Sequence, residues 1–222
     1  MSNRKAYDEA LLQMNWALTE MGAAAEKALE QAFSLLDQPD DALAARIIEG
    51  DKTVDEQERR IEQQCLALLL RQQPVATDLR RVSTALKIVT DIERIGDHAA
   101  DIAEISRHLK PGWAAQIPVR EDLRAMEAAA MGMVRQAIAA FVAVDLKKAD
   151  EVIDRDDEVD ALFNQIKTDL AGYIAGKPDE VDAALDLLMI DKYIERLGDH
   201  SCNIAQWVHF LKNGIYRGQQ IV

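Results

Sequence analysis

Glu-Arg-Ile-Gly-Asp-His at Glu93–His98 and Glu-Arg-Leu-Gly-Asp-His at Glu195–His200 are one phrase written twice, 102 residues apart. The flanks keep the same offset, since Ile88, Ile92, Ile102 and Ala103 recur as Ile190, Ile194, Ile204 and Ala205. A repeat of this length predicts two copies of one helical unit. Working outward, apolar residues keep a three-or-four spacing over long stretches, and Pro and Gly interrupt it where helix ends are expected. Six helices are predicted, near residues 5–36, 40–72, 76–109, 119–145, 147–175 and 180–211. Turns are expected at Gln38-Pro39-Asp40, Pro74 and Lys177-Pro178-Asp179, and the joint between the copies at Lys110-Pro111-Gly112 through Pro118. No strand pattern competes. The expected fold is therefore all-α, with two tandem, pseudo-symmetric antiparallel three-helix bundles occupying residues 1–112 and 113–222.

Composition agrees with a helical bundle. The 222 residues are 49% hydrophobic but only 5% aromatic, enough apolar content for a substantial core without the aromatic load of β proteins. The net charge of −13 opposes contact with phosphodiester backbones, and no basic run offsets it locally, so nucleic acid is an unfavourable partner. Cys65 and Cys202 are not equivalent in the two copies and form no Cys-x-x-Cys pair, which predicts buried reduced thiols and a cytoplasmic location. No apolar run is expected to approach the length of a membrane span and the first residues are polar, so any membrane role is expected to be indirect.

The repeated phrase is acidic. Residues four apart share a helix face, so Glu93, Asp97 and Asp101 make one stripe, which continues the apolar line of Val82, Leu86 and Val89. The preceding helix carries Asp51 and Asp55, matched in the second copy by Asp156 and Asp160. In an antiparallel hairpin the pairs Asp55/Glu93 and Asp51/Asp97 are both centred on Pro74, and Asp160/Glu195 with Asp156/Asp199 on the Lys177–Pro178 bond. Four carboxylates are thus brought level in each hairpin. Gly96 and Gly198 lie mid-helix, where glycine costs about 1 kcal/mol against alanine, so either close packing or room for a ligand is expected to compensate.

Level carboxylates repel unless protonated or neutralised, and a multivalent cation is the natural neutraliser. Oxygen-only donors favour hard ions such as Mg²⁺, Mn²⁺, Ca²⁺ and ferric iron, with zinc disfavoured. The copies differ: Asp101 becomes Asn203 while Val89 becomes Asp191, so the second stripe reads Asp191, Glu195, Asp199. His98 and His200 fall off the stripe and are expected to bond between helices, whereas Arg94 and Arg196 are expected to pair with nearby acids.

These motifs, with Pro74-Val75-Ala76-Thr77-Asp78-Leu79-Arg80, resemble the PhoU family of phosphate-uptake regulators over nearly the whole chain. The resemblance implies multinuclear metal binding (iron, manganese or magnesium) through the Asp and Glu motifs, and homodimerisation. It also implies a cytosolic, non-enzymatic adaptor between the ATPase subunit of the phosphate ABC transporter and the phosphate sensor histidine kinase, restraining the phosphate-starvation response. Asn203, and the missing Leu-Arg after Pro178 in the second copy, put equal metal occupancy of the two sites in question. Two other classes remain open from the residues: a metal-dependent phosphohydrolase, because clustered carboxylates and metals can activate water, and a purely structural helical scaffold.

Overall fold

The computed structural model describes residues 3–71 and 76–221. Its elements are α1 (Asn3–Asp37), α2 (Asp41–Arg71), α3 (Ala76–Ser106), α4 (Trp113–Gln116), α5 (Arg120–Ala143), α6 (Leu146–Gly176) and α7 (Val181–Asn213). A 3₁₀ turn, Pro178–Glu180, precedes α7, and two-residue strands β1 (Ile215–Tyr216) and β2 (Gln219–Gln220) close the chain. Helices α1, α2 and α3 form one antiparallel bundle, and α5, α6 and α7 the other. The expected turn at Pro74 lies outside the described residues.

Each bundle is held by the spacing read from the sequence. Helix α3 buries Val82, Ala85, Ile88, Val89, Ile92, Ile95, Ala99 and Ile102 at 0–1% exposure, which places it between α1, α2 and α7. Helix ends follow local chemistry. Asp40 Oδ1 accepts from the backbone N–H groups of Ala42 and Leu43, both at 2.9 Å, starting α2. Asp145 does the same for Lys147 and Lys148 at α6. Gly214, with φ 74°, ends α7 by donating to Phe210 O.

Four features depart from the sequence reading. The joint between bundles is folded, because α4 lies within it and Leu109, Ala114, Ile117 and Val119 are buried. Helix α3 stops at Ser106 instead of residue 109. The C-terminus forms a small hairpin in which Arg217 (φ 49°) and Gly218 (φ 75°) make the turn, and Tyr216 stacks on Trp207 at 4.2 Å. Finally, α5 is long and apolar enough by length and composition to cross a membrane, contrary to the expectation that no apolar run approaches that length. Its buried face, including Leu123, Met126, Met133, Val134 and Phe141, packs into the second bundle beside α6 and α7.

The bundles meet through α1 with α5 and α3 with α7. Helices α3 and α7 cross antiparallel, and their contacts come in matched pairs. His98 and His200, equivalent residues, face each other with ring centroids 5.5 Å apart. His200 reaches Asp91 (2.9 Å) as His98 reaches Tyr193 (5.1 Å between rings), and residues 91 and 193 are equivalents. Asp91 also meets Asn203, as Tyr193 meets Asp101. Reciprocity of this kind is the signature of a two-fold axis, here running between the two histidines.

Candidate metal centre

In the first bundle Asp51, Asp55 and Asp97 each offer a carboxylate oxygen within 4.8 Å of the others. Among the described residues this is the only such group of three or more His, Cys, Asp or Glu side chains, and it contains only oxygen donors. Asp51 and Asp55 come from α2 and Asp97 from α3, as the hairpin register requires. Gly96 explains how the helices approach. A Cβ there would lie 3.1 Å from Val54 Cγ1 and 3.6 Å from Asp51 Oδ1, so glycine serves both close packing and the placement of the acid.

The electrostatics is that of crowded, half-buried acids. Burial, then the Asp97 charge, pushes the Asp51 carboxyl up to about 6. The same two causes push Glu93 up to about 7, against the pull of Arg94. Asp97 is raised by burial although Arg94 Nη1 donates to it at 2.8 Å. Asp51 Oδ1 and Glu93 Oε2 are buried without a hydrogen-bond partner, and Glu93 Oε2 lies 3.4 Å from Arg94 Nε. Buried oxygens lacking donors, beside like charges, fit a hard cation. Asp101 is not one of the trio, though its charge helps raise Asp51 and Asp97, and its Oδ2 lies 3.4 Å from His98 Nδ1.

The second bundle repeats this more loosely. Asp156 is raised by burial and by Asp160 and Asp199, with Glu195 contributing less. Its Oδ1 would be 2.9 Å from a Cβ on Gly198. Asp160 and Asp199 are exposed, and Lys192 Nζ pairs with Glu195. Asp191 does not join Asp156. It is 0% exposed, neither carboxylate oxygen has a hydrogen-bond partner, and burial, then Glu195, pushes it up to about 8 against Lys167 and Lys192.

The off-stripe residues divide. His200 donates Nδ1–H to Asp91 across the two bundles, the inter-helix role expected, whereas His98 bonds within its own helix. Arg94 pairs with Glu93 and Asp97 as expected, but Arg196 makes no ion pair among the described residues. Cys65 is buried and Cys202 half-buried, and both are free thiols. Asp91 was missed because the repeat replaces it with Tyr193, so comparing copies hides it. Glu58, whose charge reaches Glu93, was missed for want of an equivalent acid one helix on.

The family model described as the PhoU domain matches this chain twice, at residues 18–106 and 123–208. A phosphate-specific transport system accessory protein PhoU homolog from Clostridium acetobutylicum is 34% identical over 212 residues, covering 95% of this chain and 96% of its own. A homolog of the same name from Caulobacter vibrioides is 33% identical over 210 residues, covering 95% and 91%. The crystal structure of PhoU from Pseudomonas aeruginosa superposes with a TM-score of 0.88 at 30% identity, covering 94% of this chain and 100% of that one. The phosphate transport system regulatory protein PhoU from Streptococcus pneumoniae gives 0.87 at 25% identity, covering 95% and 98%.

Proposed function

This chain belongs to the PhoU family, and from that premise we propose that it is a metal-binding adaptor that holds phosphate uptake and the phosphate-starvation response off when phosphate is plentiful. The observation that carries this reading is the double match of the PhoU domain within a chain that aligns nearly end to end with phosphate-transport accessory proteins. Its partners are the ATPase subunit of a phosphate ABC transporter and a phosphate sensor histidine kinase, reached from the cytoplasm, so that membrane contact is made through them. The units are residues 1–112 and 113–222. Deleting the gene tests the role: starvation genes should be expressed in phosphate-rich medium, and continued repression with normal uptake, no paralogue being present, would refute it.

Asp51, Asp55, Glu93 and Asp97 would hold one or more hard cations in the first bundle, and Asp156, Asp160, Glu195 and Asp199 in the second, with Asp101 and Asp191 flanking. The bound ion neutralises the crowded acids and ties the two helices of each hairpin. Support comes from the oxygen-only donor group and the unpartnered buried oxygens. Mn²⁺ or iron should bind the wild type and fail with Asp97→Asn/Asp199→Asn, and equal binding would count against the sites. A second copy of the chain is proposed as a further partner, supported by Leu12 and Trp16, one turn apart on α1 and 59% and 71% exposed. The protein acts by binding rather than catalysis, and metal-dependent turnover of phosphate esters would overturn that.

A further inference from the structure

A cavity of about 680 Å³ opens at the seam between the bundles, on the second-bundle side of the two-fold axis. Arg94, Arg196 and Arg217 line it together with His98, His200 and Asn203. Arg94 and Arg196 are equivalent residues of the repeated phrase, as are His98 and His200, so the axis brings both copies of the motif to one place. Three guanidinium groups thus converge in a chain whose net charge is −13.

Their charges are unevenly committed. Arg94 is bound to Asp97 and Glu93. Among the described residues Arg196 makes no ion pair and Arg217 meets no carboxylate, donating instead to Asn203 Oδ1 at 2.8 Å. Asn203 in turn donates to Asp91 Oδ1 at 3.2 Å, the oxygen that His200 Nδ1–H also reaches. An aspartate at 203, as the first copy would dictate, would face Asp91 and neutralise Arg217. The amide therefore removes a negative charge from the cavity wall. Opposing this, Asp156 and Asp199 also border the cavity, so with Arg94 committed to Glu93 and Asp97 the guanidiniums of Arg196 and Arg217 match the bordering acids in number.

Two features shape the cavity wall, and the first of them leaves room for a ligand partner. His98 is 5% exposed and its Nε2 has no hydrogen-bond partner. Arg217 occupies a left-handed backbone conformation (φ 49°) that side-chain-bearing residues rarely adopt, and the hairpin that imposes it is clamped by the Trp207–Tyr216 stack.

We propose that this inter-bundle cavity binds a tetrahedral phosphoryl oxyanion, held by Arg196 and Arg217 with Arg94 and His98 completing the wall. Planar guanidinium forks match such oxygens bidentately. The ligand is either free phosphate or the phosphoryl group of a monoester, and the assignment does not depend on the regulatory role proposed above.

Titration calorimetry of the full chain with inorganic phosphate and, separately, phenyl phosphate tests this. Saturable binding of either is expected, weakened about tenfold or more by Arg196→Ala and by Arg217→Ala, and unchanged by Arg135→Ala, which sits in a surface pair with Glu26. Arg135, Arg196 and Arg217 are all exposed, so folding is not at stake, and circular dichroism confirms it for each variant. Tighter binding of phosphate assigns the free ion, and tighter binding of the ester assigns a phosphoryl group. No saturable binding overturns the proposal. Binding that survives both Ala variants also overturns it, because the anion would then sit elsewhere, for instance on a cation held by the acids.

Discussion

Gly96 and Gly198 occupy the same motif position but guard different neighbours, and alanine should expose the difference. At Gly96 the obstacle is Val54 Cγ1, a stiff β-branched side chain in the core. Gly96→Ala is expected to lose about 1 kcal/mol, overpacking outweighing the helix-propensity gain, seen as a lower urea midpoint. At Gly198 the obstacle is the free end of Asp156, so Gly198→Ala should fold as stably as wild type while displacing the carboxylate and weakening cation binding in the second bundle. Asp191 yields a pH prediction. Its folded value of about 8 stands above the usual 3.8, so the native state holds a proton that the unfolded chain releases. Its stabilising contribution is full below pH 4 and lost as pH rises through 8. Asp191→Asn should flatten that fall, measured as urea midpoints at pH 5 and pH 8.5 in chelator. An unchanged slope would mean that another group carries it.

Helix α5 begins at Arg120, whose side chain is 4% exposed and bound to Asp37 of α1 at 2.9 Å and to Glu127 at 2.6 Å. This buried triad fastens the end of one bundle's first helix to the start of the other's. Arg120→Ala strands the largely buried Glu127 and should cost about 3 kcal/mol or more, read from denaturant unfolding, whereas Arg124→Ala, at the exposed edge, should cost under 1 kcal/mol. At this scale most of the fold was legible. Pro39, Pro178 and the three-four periodicity located the helices because breakers and amphipathic faces act locally. What escaped were α4, whose single turn is held by tertiary burial of Ala114 and Ile117, and β1–β2, too short for alternation to register. The acidic site was legible as register: Asp51 and Asp97 lie equally far from Pro74, and Asp55 sits one helical turn from Asp51, so the three meet. The separation of Asp101 and Asp191 from those groups was not, since it depends on which neighbours, His98 or Lys167, the third dimension supplies.

The whole molecule is two like halves joined across a near two-fold axis by α1 with α5 and α3 with α7. Because the seam is built from matched contacts, residues 1–112 and 113–222 produced as separate chains should find each other. A tag on one half is expected to retain the other, and recovery of the tagged half alone would refute the matching. In the intact protein, residues 107–119 make that encounter intramolecular, at an effective concentration on the order of millimolar. The tether also grants an evolutionary liberty. A strictly symmetric homodimer must carry every substitution twice, on both sides of its axis, so residues at the axis can never differ from their mates. Fusing the copies lifts that constraint: Asp101 can remain acidic beside His98 while its mate becomes Asn203 beside His200. An axis that would force equality in two chains is, in one chain, the place where difference can be put to use.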